Sequence, residues 1–273
     1  MSRFPDRPPP AGARRVVRVT QPVAGVAVVT IDRPDSLNAL DLAVVDGLSA
    51  ALTNLADSDD VSVVVLTGAG ESFSAGADLS VLSEALASEP PLDLMRRCGI
   101  PLRALAHLPQ LTIAAVNGPA IGGGWGLAMA CDLRIAGPRA RFGATFARLG
   151  LGPDYGLSAT LPRAIGRQRA LELLMTGRFI SAEQAARIGL VAEVADDVLS
   201  RALELATDIV TVPARAIRSI KATLREAENA GMDEVVDRIE AGAQAALFEH
   251  TDFGADAAAW ISRHRSTPKP PGQ

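Results

Sequence analysis

The sequence holds little of what metal, redox and nucleic-acid sites are made of. Its 273 residues include two cysteines, Cys98 and Cys131, and three histidines, His107, His250 and His264. No His-x-x-x-His pair and no metal-ligand cysteine spacing occurs, so a zinc framework is excluded and no metal is expected. Both thiols lie in apolar surroundings and are expected to behave as small buried hydrophobes. Lysine is nearly absent, Lys221 and Lys269 being the only two, and 27 basic against 31 acidic residues leave a formal charge of −4. Without a basic stripe there is no footprint for a phosphate backbone, which argues against a nucleic-acid partner.

Uninterrupted apolar runs are missing as well. The stretch 104–131 contains no Asp, Glu, Lys or Arg, yet His107, Pro109, Asn117, Pro119 and the glycines at 122–124 break it. Backbone groups freed there would need polar partners that lipid does not supply, so no membrane association is expected and the stretch is expected as a buried strand, loop and helix. The proline-rich start has no apolar signal region, and residues 1–14 are expected as a disordered arm on a cytoplasmic protein. What remains, 48% hydrophobic and 21% charged residues, is the balance of a globular chain with a large core.

The runs 23–31 (VAGVAVVTI) and 61–67 (VSVVVLT) are β-branched and bounded by Pro, Gly and Asp, the pattern of strands buried on both faces. Between them Leu40, Val44, Leu48, Ala51 and Leu55 recur at helical spacing, and strand, helix and strand in that order predict a crossover between parallel strands. The pattern continues with a strand at 111–116, a short apolar helix at 123–131 and a strand at 133–136. Beyond Gly156 the chain is predicted mostly helical, with starts near Ser181, Pro213 and Asp233 and one short strand near 189–194. The prolines and glycine at 90, 91, 99 and 101 predict an irregular segment over 81–108.

Two glycine-bearing loops each follow a strand and lead into a helix: Ser72-Phe73-Ser74-Ala75-Gly76-Ala77-Asp78-Leu79, and Asn117-Gly118-Pro119-Ala120-Ile121-Gly122-Gly123-Gly124-Trp125-Gly126. Such turns leave backbone N–H groups free at a helix N-terminus, where they stabilise a phosphate or a developing oxyanion. Neither is a Walker A loop nor a good G-x-G-x-x-G.

Together with Ile31-Asp32-Arg33-Pro34, Leu37-Asn38-Ala39-Leu40, Leu161-Pro162-Arg163 and the stretch Met175 to Ala182, these loops make the chain resemble the enoyl-CoA hydratase/isomerase (crotonase) family over nearly its whole length. The resemblance implies an α/β fold: a crotonase-like spiral of ββα units, placed at 15–195, followed by a helical C-terminal trimerisation region at 196–273. It implies an acyl-CoA thioester as substrate, with coenzyme A part of that substrate and no separate cofactor, and a homotrimer or dimer of trimers. By position, the N–H groups of Ala77 and Gly123 would form the oxyanion hole, and Ala75, Gly76, Ala77, Asp78 and Leu79 would touch the CoA moiety.

Hydratases of the family use two glutamates, one just after the glycine loop and one about twenty residues on. Those places are Gly126 and Phe146 here, neither able to move a proton, so two-carboxylate water addition is disfavoured. Asp154, in Leu151-Gly152-Pro153-Asp154-Tyr155-Gly156, stands where isomerases of the family place a catalytic aspartate. The resemblance thus implies an enoyl-CoA isomerase with Asp154 as its single base. Phe146 is expected beside that carboxylate, raising its pKa by desolvation. Other roles stay open: Asp154 as a helix cap or, as in family dehalogenases, a nucleophile; hydration or another lyase reaction through a different group; or thioester binding without turnover. Asp78 is expected to cap a helix or brace its loop, Asp132 to be structural and His107 to be packed or on the surface. Trp125 and Tyr155 are candidates to line the acyl pocket, core packing being an equal alternative for Trp125, and Lys221 and Phe248 to cover the acyl chain or a CoA phosphate.

Overall fold

The computed structural model describes residues 15–249 and 253–265; the arm expected at 1–14 lies outside them. The chain divides into two compact units, Met1–Val212 and Pro213–Gln273.

In the first unit a six-stranded sheet runs in the order β1 (Val17–Val23), β2 (Gly25–Ile31), β3 (Val61–Gly68), β4 (Leu111–Val116), β6 (Leu133–Ala136), β9 (Glu193–Val194). Only β1 and β2 pair antiparallel; β2–β3, β3–β4, β4–β6 and β6–β9 are parallel. A second sheet joins β5 (Ala120–Ile121), β7 (Arg141–Gly143) and β8 (Ile180–Ser181). The crossover expected between 31 and 61 is helix α1 (Leu42–Ala56).

Strand residues alternate between two cores, which is why the strands read as continuous apolar runs. Val26, Val28, Val63, Val65, Ile113, Ala115 and Ile135 share one core with Val198, Ala202 and Ala206 of α9 (Val198–Ile209). Ala27, Val29, Ile31, Val64, Leu66, Ala114 and Val116 face the other, with Leu48, Leu52 and Leu55 of α1 and Leu127 and Ala128 of α5 (Gly123–Ala130). Because α9 packs on the sheet, the first compact unit runs to Val212, past the expected boundary at 195.

The segment 81–108 is more regular than its prolines predict. Three short helices follow one another, α2 (Leu79–Ser88), α3 (Pro91–Cys98) and α4 (Ile100–His107). Pro91 and Pro101 occupy first-turn positions, where the missing N–H would have no intrahelical partner, so they start helices instead of breaking them. Helices α6 (Leu157–Ile165), α7 (Arg167–Thr176) and α8 (Ala182–Arg187) complete the unit. Ser181 begins α8 with a capping box: its hydroxyl accepts from the Gln184 N–H while the Gln184 side chain accepts from the Ser181 N–H. The second unit is helical, with α10 (Ala214–Ala227), a run over 232–249 containing a π-helical turn, and a helix at Phe253–Arg265. No helix among the described residues is long and apolar enough to cross a membrane.

Candidate active site

The two glycine loops meet at the C-terminal ends of β3 and β4. Phe73 and Ser74 donate their N–H groups to Pro119 O at 3.1 and 3.0 Å, and Ile121 N donates to Ser74 O at 2.9 Å. A β-carbon at Gly76 would lie 3.4 Å from the Gly123 nitrogen and 2.6 Å from Ile121 O. The left-handed backbone of Gly76, φ 85°, and its missing side chain are therefore both needed for this approach.

The first loop is also pinned from below. Asn38, fully buried with φ 56°, accepts from Arg33 N at 2.9 Å and donates its amide to Ala69 O at 2.9 Å and Ser72 O at 2.7 Å. Asn117 donates to Gly68 O and Gly70 O at 3.0 and 2.9 Å. Ala75 N reaches Leu37 O at 2.9 Å, Leu40 N reaches Gly76 O at 2.8 Å, and Asp78 N reaches Leu40 O at 3.2 Å. With Gly76 N donating to Ser74 Oγ at 3.2 Å, the N–H groups on both sides of Ala77 are used, and the Ala77 N–H is left without an acceptor among the described residues. Gly123 opens α5, where the first N–H groups have no intrahelical acceptor. Two donors with no backbone acceptor among the described residues thus sit on adjoining loops, with a helix dipole behind one of them.

A cavity of about 30 Å³, room for roughly one water, opens beside Ala77, walled by Leu40, Leu42, Val81, Leu82, Leu94, Met95, Cys98 and Tyr155. Two carboxylates line it, Asp41 and Asp154. Asp41 is already engaged: it caps α1 by accepting from Val44 N at 2.8 Å and pairs with Arg33 at 3.3 Å. Arg33 also pairs with Asp78 at 3.3 Å and donates to Ala39 O at 2.7 Å, so one guanidinium ties the starts of α1 and α2 to the 37–40 loop. The Ser80 hydroxyl above all, with Arg33 assisting against the opposing effect of burial, holds the Asp78 carboxyl below its ordinary range.

Asp154 has no such cation among the described residues. Its side chain lines the cavity and keeps part of its surface open to solvent. Desolvation by the protein around it raises its pKa from 3.8 to about 6. Burial likewise pushes the Tyr155 phenol and the Cys98 thiol up, and the charge of Asp154 adds to both shifts. Neither group ionises readily near neutral pH, and with Asp41 engaged by Arg33 and the α1 start, Asp154 is the cavity carboxylate with no cation partner among the described residues.

Of the positions singled out in the sequence, some fall where expected and others do not. Asp154 does not cap α6: the cap residue is Gly156, which has no side chain to offer the first N–H groups. Phe146 lies against Gly122, 3.6 Å from where a β-carbon would stand, and does not line the cavity that holds Asp154. Cys131 is buried as expected, while Cys98 is half-buried in the cavity wall. Trp125 is core, packed at 6.0 Å from the Phe142 ring. Asp78 stands at the cap position of α2, where its carboxylate accepts from the Ser80 hydroxyl at 2.9 Å and braces the loop through Arg33. Asp132 accepts from the N–H and hydroxyl of Thr112, both at 2.7 Å, and so ties β6 to β4. His107 is on the surface, its Nδ1 2.8 Å from Arg103 O. Lys221 and Phe248 belong to the second unit, where Phe248 meets Phe253 edge-on at 5.1 Å. The supporting roles of Asn38, Arg33 and Asn117 were not read from sequence. The asparagine in Leu37-Asn38-Ala39-Leu40 ahead of a helix, a residue that tolerates left-handed backbone and offers both donors and an acceptor, is the available signal.

Comparison with known proteins agrees with this geometry. The enoyl-CoA hydratase/isomerase profile matches residues 21–264. A probable enoyl-CoA hydratase of Mycobacterium tuberculosis is 41% identical over 246 residues, covering 88% of this chain and 94% of the relative. A Mycobacterium abscessus crystal structure ascribed to an enoyl-CoA hydratase/isomerase superposes with a TM-score of 0.85 at 37% identity, covering 90% of this chain and 96% of that one. A monofunctional enoyl-CoA isomerase of M. smegmatis superposes with a TM-score of 0.70 at 37% identity, over 82% and 99% of the two chains. On profile, sequence and fold alike, the chain belongs to the enoyl-CoA hydratase/isomerase family and has the crotonase fold.

Proposed function

We propose that this acyl-CoA-processing enzyme is an enoyl-CoA isomerase that moves a double bond by a proton shift with Asp154 as its only base. The observation that carries this is the carboxylate census. Asp154 is the one carboxylate in the cavity free of a cation, and the places of the two hydratase glutamates hold Gly126 and Phe146.

In a 3-enoyl thioester the carboxylate takes the proton from C2. The electron pair moves onto the thioester oxygen as a dienolate, held by the N–H groups of Ala77 and Gly123, and the carboxylic acid returns the proton to C4. Atoms balance without water. The stretch from Ala75 to Leu79, Asp78 included, lies along the CoA moiety.

The test is product identity. With a 3-enoyl-CoA the enzyme is expected to generate the absorbance of a conjugated thioester with no change of mass. A 2-enoyl-CoA that instead gains one water would overturn the proposal, and relatives named hydratases make that comparison essential. Large exposed apolar side chains on the second unit, Ile220, Leu224, Met232 and Val236, support assembly with further copies of the chain. Light scattering is expected to give a trimer or hexamer mass, and a monomer mass would contradict it.

A further inference from the structure

The helix that follows the second loop starts Gly123-Gly124-Trp125-Gly126, a poor helix-forming sequence in which each bare position meets something different. A β-carbon at Gly124 would stand 2.5 Å from Ser74 O, so that glycine admits the first loop. Gly123 and Gly126, three apart and hence on one face, both admit Tyr155. A β-carbon at Gly123 would be 3.0 Å from the Tyr155 ring; one at Gly126 would overlap Tyr155 Cβ and lie 2.5 Å from its carbonyl oxygen. The docked turn is itself unusual. Tyr155 and Gly156 are consecutive left-handed residues, φ 45° and 71°, and Leu157 N closes the turn onto Asp154 O at 3.1 Å. A tyrosine adopts that backbone only where its surroundings hold it there.

We propose that Gly126 is a positioning residue for Asp154: its missing side chain is the notch that lets the 154–156 turn dock on α5. This rests on Asp154 being the base. It also means that a glutamate at 126 and the docked Asp154 turn exclude one another, because any β-carbon at 126 displaces the turn. The specificity between proton shift and water addition is thereby set by backbone packing as well as by which carboxylates are present.

Gly126→Ala is the test, read in two ways. Tyr155 is the only tyrosine in the chain, so alkaline titration of tyrosinate absorbance follows the turn itself, whatever Asp154 does. In the native enzyme the buried phenol resists ionisation; in Gly126→Ala it is expected to titrate near its ordinary value of about 10. Isomerisation kcat is expected to fall about 100-fold, the effect of moving a catalytic group by ~1 Å, with little change in KM. The acid limb of the pH profile should move below its native position as Asp154 becomes better solvated. A phenol and a kcat that both stay native overturn the proposal, as does a shifted phenol with native kcat. Should Gly126→Ala fail to fold, Gly126→Ala with Tyr155→Gly carries the test. That pair removes the Cβ overlap, and glycine at the left-handed position frees the backbone to carry its carbonyl oxygen, otherwise 2.5 Å away, clear of the new β-carbon, so recovered folding supports the notch and a double variant as unfolded as the single one overturns it. Failure of the underlying base assignment is seen separately, as full activity in Asp154→Asn.

Discussion

Asp154→Asn is expected to lower kcat for isomerisation by about 10²–10⁴, the range that a general base contributes, while KM for the CoA thioester stays close to native. Asparagine keeps the shape of the side chain and leaves the Ala77 and Gly123 donors in place, so thioester binding survives and only proton transfer is lost. Equal losses in kcat and kcat/KM are the mark of an interaction used in the transition state alone. The native pH profile should carry the same group. With a pKa of about 6, activity falls as pH drops through 6, because the base becomes protonated. Stability moves the other way. A carboxyl whose folded pKa lies above its unfolded value of 3.8 binds more protons in the folded state between those two values, so its contribution to stability declines as pH rises through that window. Asp154→Asn, which has no charge to desolvate, should therefore melt higher than the native enzyme at pH 7 and lose that advantage below about pH 4. Native turnover in this variant would remove Asp154 from the mechanism.

The sequence made some of this visible and not the rest, for definable reasons. Strands β2, β3 and β4 announce themselves because both their faces are buried, and α1 because its apolar spacing is regular. Strand β1 does not: its residues alternate between exposed and half-buried, and Pro22 interrupts it. An edge strand tolerates proline because one row of its N–H groups has no partner to lose. Strands β5, β7 and β8 span only 2, 3 and 2 residues, too short for any periodicity to register. Over 81–108 the prolines were weighed as breakers, but their positions in first turns make them starters. Asp154 was found by its place in the family pattern. Whether it caps a helix or faces the cavity depends on the left-handed pair Tyr155 and Gly156, and nothing in the residue types reports a positive φ at tyrosine. The link between Gly126 and Tyr155 joins positions 29 apart in sequence (155 − 126) through backbone contact, information that composition and spacing do not carry.

Asn38→Asp is expected to be the most damaging substitution outside the cavity, although it changes one atom. The native amide accepts from Arg33 N and donates to both Ala69 O and Ser72 O inside a fully buried site. A carboxylate keeps the acceptor but turns the two donor contacts into an anion facing two carbonyl oxygens; a protonated carboxyl can donate to only one of them. Ser72 O retains a weaker donor in Asn117 Nδ2 at 3.3 Å, whereas Ala69 O loses the donor that Asn38 supplies at 2.9 Å. An orphaned buried acceptor together with a desolvated charge costs about 3 kcal/mol, a fall in melting temperature of roughly 6–12 °C for a domain of this size. Burial raises the pKa of the new carboxyl, so by the same proton linkage the deficit should deepen as pH rises from acid to neutral. The functional consequence follows from what Asn38 anchors. Ser72 begins the loop that presents the Ala77 N–H, and loosening it blurs the placement of one of the two oxyanion donors, an effect of about 10²–10³ in kcat where such a donor is lost outright. Thermal melts across pH and steady-state kinetics on the soluble variant check both halves. A variant that melts like the native protein would show that Asn38 does not hold the loop, and one that is destabilised yet turns over normally would separate the stability of the loop from its role in presenting Ala77.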